Sequence, residues 1–215
     1  PRDANLRLLL AGKLLAAGDL QGARQMLDEA HPLIVPASEA AANWERQDYA
    51  WHEARLQQAL GRDRNAEVRE AVNALLLRLQ RRAAAATQPR QVLAALDSVR
   101  ALEAVLAARG MPASPPQPGG DAPPALAQRR ALLQRLQDMP AATTPELERG
   151  GALAQGDGEY AQASTLYFAA RNKSTDPAVR EQLLRRGVQA LLAGGQPVAA
   201  WEAARREAGQ VPATD

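Results

Sequence analysis

Apolar residues recur every three or four positions along nearly the whole chain, with polar residues filling the gaps. That period marks helices buried along one face, whereas a strand would alternate at every second position. Ala4 to Ala17 puts Leu6, Leu9, Leu10, Leu14 and Ala17 on one stripe, and Gly18-Asp19 stops it in a tight turn. A second helix follows from Leu20 to about Ala30, with Ala23, Met26, Leu27 and Ala30 facing back, until Pro32 and Pro36 end the pair. Ser38 can cap a long helix to Leu60, which Gly61 terminates. Asn65 to about Arg82 carries Val68, Val72, Leu75, Leu76 and Leu79, and Pro89 to Arg109 carries Val92, Leu96, Val99, Leu102 and Leu106 before Gly110.

The period fails from Met111 to Pro124, MPASPPQPGGDAPP, where prolines and glycines cannot continue a helix. The chain is therefore expected to divide into a helical segment 1–110, a linker 111–124 and a second helical segment 125–215. In the last segment, Ala125 to Asp138, Pro145 to Gln155 (capped by Thr144), Glu159 to about Asn172, Pro177 to Ala193 and Pro197 to about Ala208 read as helices. Nothing reads as a strand.

Composition supports this reading. The chain is 46% hydrophobic but only 3% aromatic, and alanine and leucine dominate its apolar set. Those residues lose little side-chain freedom in a helix, whereas strands favour β-branched and aromatic residues. At 215 residues it can bury a proper core. The formal charge is only +2, and arginines alternate with acids, as in Glu67, Arg69 and Glu70. Nucleic-acid binders gather their cations on one face, so no nucleic-acid partner is expected. Only Lys13 and Lys173 among the basic residues are lysine, a codon-usage trait of GC-rich bacteria. There is no cysteine, which excludes disulfides and thiolate metal sites. No apolar run is long enough to span a membrane. The chain begins at Pro1 and reads as a piece of something longer.

Three helix pairs superpose through their glycine turns. Around Gly18 the series is Leu10-Ala11, Leu14, Gly18-Asp19-Leu20, Ala23, Leu27, Ala30. Around Gly158 it is Gly150-Gly151, Ala154, Gly158-Glu159-Tyr160, Ala163, Tyr167, Ala170. Around Gly195 it is Gly187-Val188, Leu191, Gly195-Gln196-Pro197, Ala200, Ala204. Small residues let the two helices of a hairpin approach, and bulky ones fill the groove between hairpins. The pattern resembles the tetratricopeptide repeat, although Arg7 and Leu147 stand where that family has a large aromatic. The resemblance implies an all-α fold of about ten helices in a right-handed solenoid, irregular between Ser38 and Arg109.

The segment Gly156 to Ala204 is similar, more loosely, to the periplasmic tetratricopeptide regions of bacterial exopolysaccharide-export outer-membrane proteins of the Pel and cellulose type. That implies a periplasmic scaffold whose partner is a polysaccharide-modifying enzyme or the polymer itself. The competing reading is a regulatory domain of a peptidoglycan or cell-wall enzyme complex.

Candidate chemistry is sparse. His52 follows Asp48 by one helical turn, which offers a hydrogen-bonded pair, and His31 sits at a helix end. Neither has the companions a metal site needs, and an all-α enzyme built on His52 would require two or more carboxylates around it. Gly156-Asp157-Gly158-Glu159 lacks the ligand series of a calcium loop. No catalytic residue, metal ligand or cofactor site is therefore assigned. Trp44 and Trp51, seven apart on one helix face, read either as binding anchors or as packing between repeats. Tyr167 is expected in the core. Partner binding is expected at Arg7, Lys13, Arg149 and Arg186, polar positions on the first helices of their pairs, and at the two tryptophans.

Overall fold

The computed structural model describes residues 3–111 and 124–208. They are all-helical: α1 (Ala4–Ala16), α2 (Leu20–Ala30), a short 3-10 turn (His31–Leu33), α3 (Glu39–Gly61), α4 (Asn65–Ala84), α5 (Pro89–Ala107), α6 (Pro124–Asp138), α7 (Thr144–Gly156), α8 (Tyr160–Lys173), α9 (Pro177–Ala193) and α10 (Pro197–Ala208). There is no strand among the described residues. Most of the expected linker, 112–123, lies outside them. The chain gathers into two compact units, Pro1–Arg81 with Leu102–Pro112, and Arg82–Ala101 with Ala113–Asp215.

Every odd-numbered helix ends in the same way. One residue turns left-handed, at Gly18, Asp63, Gly110, Gly158 and Gly195 (φ between 53° and 79°). The following N–H reaches back five residues: Asp19 to Leu14 O (2.9 Å), Arg64 to Ala59 O (3.1 Å), Met111 to Leu106 O (3.0 Å), Glu159 to Ala154 O (2.9 Å) and Gln196 to Leu191 O (2.9 Å). This is the Schellman closure, which satisfies carbonyls that a helix end would otherwise leave unpaired. Glycine adopts the conformation without a Cβ clash, and Asp is among the few other residues that tolerate it.

Most boundaries move by one or two residues, and two of the shifts have a plain local cause. The long helix α3 runs through Gly61 and stops at Asp63. The stop is set by which residue turns left-handed, and Gly61 stays helical. α7 begins one residue earlier than expected, with Thr143 as its cap, because Glu146 closes a reciprocal capping box onto it (Thr143 N–H to Glu146 Oε2, 2.9 Å).

In the first unit the core takes Leu8 and Ala11 from α1, Leu27 and Ala30 from α2, and packs Met26, Ala40, Trp44 and Trp51 against them. The stripe expected on α1 is rotated: Leu6, Leu9 and Leu10 are exposed while Leu8 and Ala11 are sealed. α1 carries leucines on every side, so its periodicity does not select a face. On α4, Val68, Val72, Leu75, Leu76 and Leu79 are all buried as expected.

In the second unit, glycines set the closest approaches. A Cβ added at Gly151 would meet the Tyr167 ring at 2.9 Å, and one at Gly187 would run into the Phe168 ring. α7 thus lies close on α8, and α8 on α9. Tyr167 is core, with its hydroxyl 3.1 Å from Gln155 Oε1.

Candidate functional site

Asp19 caps α2 by accepting the Gly22 N–H at 2.9 Å, which sets the helix as one wall of a site. α3 is the other wall. Trp44 and Trp51 project from it toward α2, and each indole N–H donates to an α2 carbonyl: Trp44 to Leu27 O (3.0 Å) and Trp51 to Leu20 O (2.7 Å). A half-buried tryptophan needs such an acceptor, so both rings are fixed in place. The His31 ring lies 4.6 Å from that of Trp44. The guanidinium of Arg24 lies 5.2 Å from the centre of Trp51 and that of Arg55 lies 5.7 Å away, both within cation–π range.

Behind Trp51 is a buried ion cluster. The Asp48 carboxylate, only 4% exposed, accepts from Arg24 Nη1 at 2.9 Å and from Arg78 Nε. One carboxylate therefore joins α2, α3 and α4. His52, one turn further on, brings Nε2 to 3.9 Å from Asp48 Oδ1, and neither ring nitrogen makes a hydrogen bond. The pairing expected from the sequence does not form, because both arginines already occupy the carboxylate. Burial pushes the His52 pKa down to about 4; Arg78, Arg24 and Arg55 act the same way, and Asp48 opposes them. His52 is thus a neutral imidazole beside a single carboxylate.

Helices α2 and α3 frame an open groove of about 700 Å³, lined by Gln21, Arg24, Gln25, Asp28, Glu29, Trp51, Arg55 and Gln58. Its two guanidinium groups are balanced by the two carboxylates. Arg24 also donates to Asp28 (3.0 Å), Gln25 to Glu29 (2.9 Å), and Arg55 to Glu70 (2.8 Å). The groove therefore presents a nearly neutral, amide-rich surface around one immobilised indole.

The second unit repeats the device. Asp157, at the C-terminus of α7, accepts from Arg100 of α5 at 2.6 Å and lies 3.4 Å from Arg129 of α6. Its groove, about 550 Å³, runs between α6 and α8 past Arg130, Gln134, Gln137, Glu159, Gln162 and Thr165.

The arginines chosen from the sequence are engaged in ion pairs. Arg7 meets Glu29 at 3.3 Å, Arg149 meets Asp97 at 2.6 Å and Arg186 meets Glu148 at 2.6 Å, while Lys13 is exposed in the last turn of α1. Arg7 and Lys13 belong to the first unit, Arg149 and Arg186 to the second. Of the six chosen residues only Trp51 lines the larger groove. Sequence reasoning missed Arg24, Arg55, Arg78 and the Arg100–Asp157 pair. Arg24 and Arg78 sit among buried positions of their helices, Ala23 and Leu27 or Leu75 and Leu79, and a charge in that setting was the available signal. It also missed Trp201, which is 61% exposed on α10.

Among the described residues no cluster of three or more histidine, aspartate or glutamate side chains could hold a metal, and no helix is long and apolar enough to cross a membrane. No protein-family model, curated protein or solved structure matches this chain.

Proposed function

We propose that this protein is a non-catalytic scaffold of tetratricopeptide-like helical hairpins that holds a protein partner, in a bacterial envelope complex that makes or secretes an exopolysaccharide. The five repeated Schellman closures support the hairpin reading, since they give the odd helices one common way of reversing the chain. The packing register adds to it: Ala23, Val68, Ala163 and Ala200, each five residues past a turn residue, are all at most 1% exposed. The solenoid arrangement and the periplasmic setting belong to this proposal and rest on the resemblance of the sequence.

The observation that carries the binding role is the groove between α2 and α3. Its indole is held by a hydrogen bond to Leu20 O, and its lining offers Gln21, Gln25 and Gln58. A rigid aromatic surrounded by amides suits a folded or extended polypeptide, with little ordering entropy lost on binding. The ion cluster serves as its foundation, because it fixes α3 against α2 and α4.

The test is site-specific photo-cross-linking in envelope extracts, with the reactive residue at Gln21 or Gln58 and a control at exposed Arg69. Adducts confined to the groove positions and containing a polysaccharide synthase, exporter or modifying enzyme support the proposal. Adducts with peptidoglycan enzymes would move the scaffold to the cell-wall machinery, and equal labelling at Arg69 would remove the groove.

A further inference from the structure

Two groups address the same oxygen of Asp48. Arg24 Nη1 donates to Oδ1 at 2.9 Å from α2, and His52 Nε2 lies 3.9 Å from that oxygen on α3. Arg78 of α4 holds the other oxygen, Oδ2, and donates a further N–H to Ala74 O at 3.0 Å. The imidazole is buried, neither of its nitrogens is hydrogen-bonded, and its ring meets the Trp51 indole edge-on with centres 4.7 Å apart. Arg24 lies over the same indole at 5.2 Å and lines the groove. One buried titratable ring therefore adjoins both the ion pair that ties α2 to α3 and the aromatic side chain on which the groove is built.

The charged groups that act on His52 come from three helices: Asp48 and Arg55 from α3, Arg24 from α2 and Arg78 from α4. Of the cations on α1, Arg7 pairs with Glu29 and Lys13 is exposed. A proton on His52 would set a third cation against one buried carboxylate, and like charges a few ångströms apart in a poorly solvated site repel strongly. One cation must then leave. Arg24 is the one with another anion at hand. Its Nε already donates to Asp28 at 3.0 Å, its Nη2 reaches the same carboxylate, and its side chain is 33% exposed against 22% for Arg78. Only the Nη1 bond has to break.

We infer that His52 is an acid switch for the α2–α3 groove: once protonated it takes Asp48 from Arg24, which stays with Asp28 and moves off Trp51. The tie between α2 and Asp48 is lost, while Arg78 still joins α3 to α4. That a bound polypeptide would feel the change rests on the groove role proposed above, whereas the exchange itself is a property of the free chain.

The free chain therefore serves for the test, with Trp44→Phe and Trp201→Phe leaving Trp51 as its one indole. On acidification from neutral pH, acrylamide quenching of Trp51 should rise in a step centred at about pH 4, where burial and then Arg78 hold the imidazole. The helical circular dichroism spectrum should not change across that step. His52→Leu should remove it, even though Asp28 and Glu29 still titrate, and His52→Gln serves if the leucine variant loses helicity. Arg24→Gln should uncover Trp51 already at neutral pH. It should also let the imidazole titrate about one unit higher by NMR, because a competing cation is gone. The absence of a step, a step that persists without His52, one that coincides with loss of helicity, or an unmoved His52 titration in Arg24→Gln would overturn the inference. Photo-cross-linking at Gln21 and Gln58 is read at neutral pH, before the switch acts, so the two readings fail separately.

Discussion

The Asp48 carboxylate and the His52 imidazole lie one turn apart on the buried side of α3, 3.9 Å from each other, without a hydrogen bond between them. Arg24 and Arg78 take the carboxylate from two other helices, and His52 is left as the apolar-like member of a charged cluster. The position is instructive: eleven residues before the turn residue, α7 has Leu147 and α5 has Val99, both fully buried. His52 thus fills a core site that α5 and α7 give to hydrocarbon.

The pH dependence of stability follows from that placement. The folded pKa of about 4 lies below the ordinary 6.5, so on acidification the unfolded chain takes up a proton before the folded one does. His52 therefore costs no stability above pH 6.5 and an increasing amount as the pH falls toward 4, at a limiting slope of about 1.4 kcal/mol per pH unit. Urea unfolding at neutral pH and at about pH 5 should show this loss in the wild type. His52→Leu, which copies Leu147, should reduce it. An unaltered pH profile in the variant would assign the loss to other groups.

Removing the charge that joins three helices should be more severe. Asp48→Asn leaves Arg24 and Arg78 facing a neutral amide in a partly buried site, and breaking such a pair costs on the order of 3–5 kcal/mol, less where the arginines reach water. Trp44 and Trp51 emission, followed in a Trp201→Phe background, should report the change at a lower urea midpoint. Asp157→Asn should lower stability through the second unit, leaving the spectral position of Trp44 and Trp51 in the folded state unchanged.

Two glycines should respond to substitution for different reasons. Gly18 has φ 79° and open space around an added Cβ, so Gly18→Ala should cost about 1 kcal/mol through backbone strain alone, and Gly18→Asn less. Gly187 is helical and pressed on Phe168, so Gly187→Ala should cost about 1–3 kcal/mol by overpacking, with Asn no better than Ala. Ala163→Leu belongs with the second kind, because Ala163 is fully buried. Thermal unfolding measures each of these variants, and an equal cost for Asn and Ala at Gly18 would contradict the left-handed role.

The four cations chosen from the sequence allow a separation of stability from binding. Arg7, Arg149 and Arg186 form surface ion pairs, which contribute about 0–1 kcal/mol each. Replacing them and Lys13 together with alanine should shift the melting temperature little while weakening partner capture. Capture that persists at wild-type strength would confine binding to residues such as Gln21 and Gln58.

Much of the fold was legible. Glycines at Gly18, Gly110, Gly158 and Gly195 announced four of the five turns, and helix-period leucines and valines named the core of α4. The fifth turn was not, because Asp63 carries no glycine signal and Gly61 lay close by as a decoy. Less of the candidate site was legible. Trp51 stood out because aromatics are rare here, but the groove beside it needed Gln21, Gln25 and Gln58 to meet across two helices, which no local pattern encodes.

By itself, the sequence determined that the chain is helical, roughly where each helix begins and ends, and that small residues recur at fixed steps from the turns. Those properties follow from short-range physics: propensity, capping and the 3.6-residue period act within a few residues. Tertiary structure alone decided which face of leucine-rich α1 is buried, which two arginines hold Asp48, and why His52 is left without a hydrogen bond. Each of these depends on which distant side chain arrives first at a shared position, and an arginine 24 or 30 residues away leaves no trace in the local pattern.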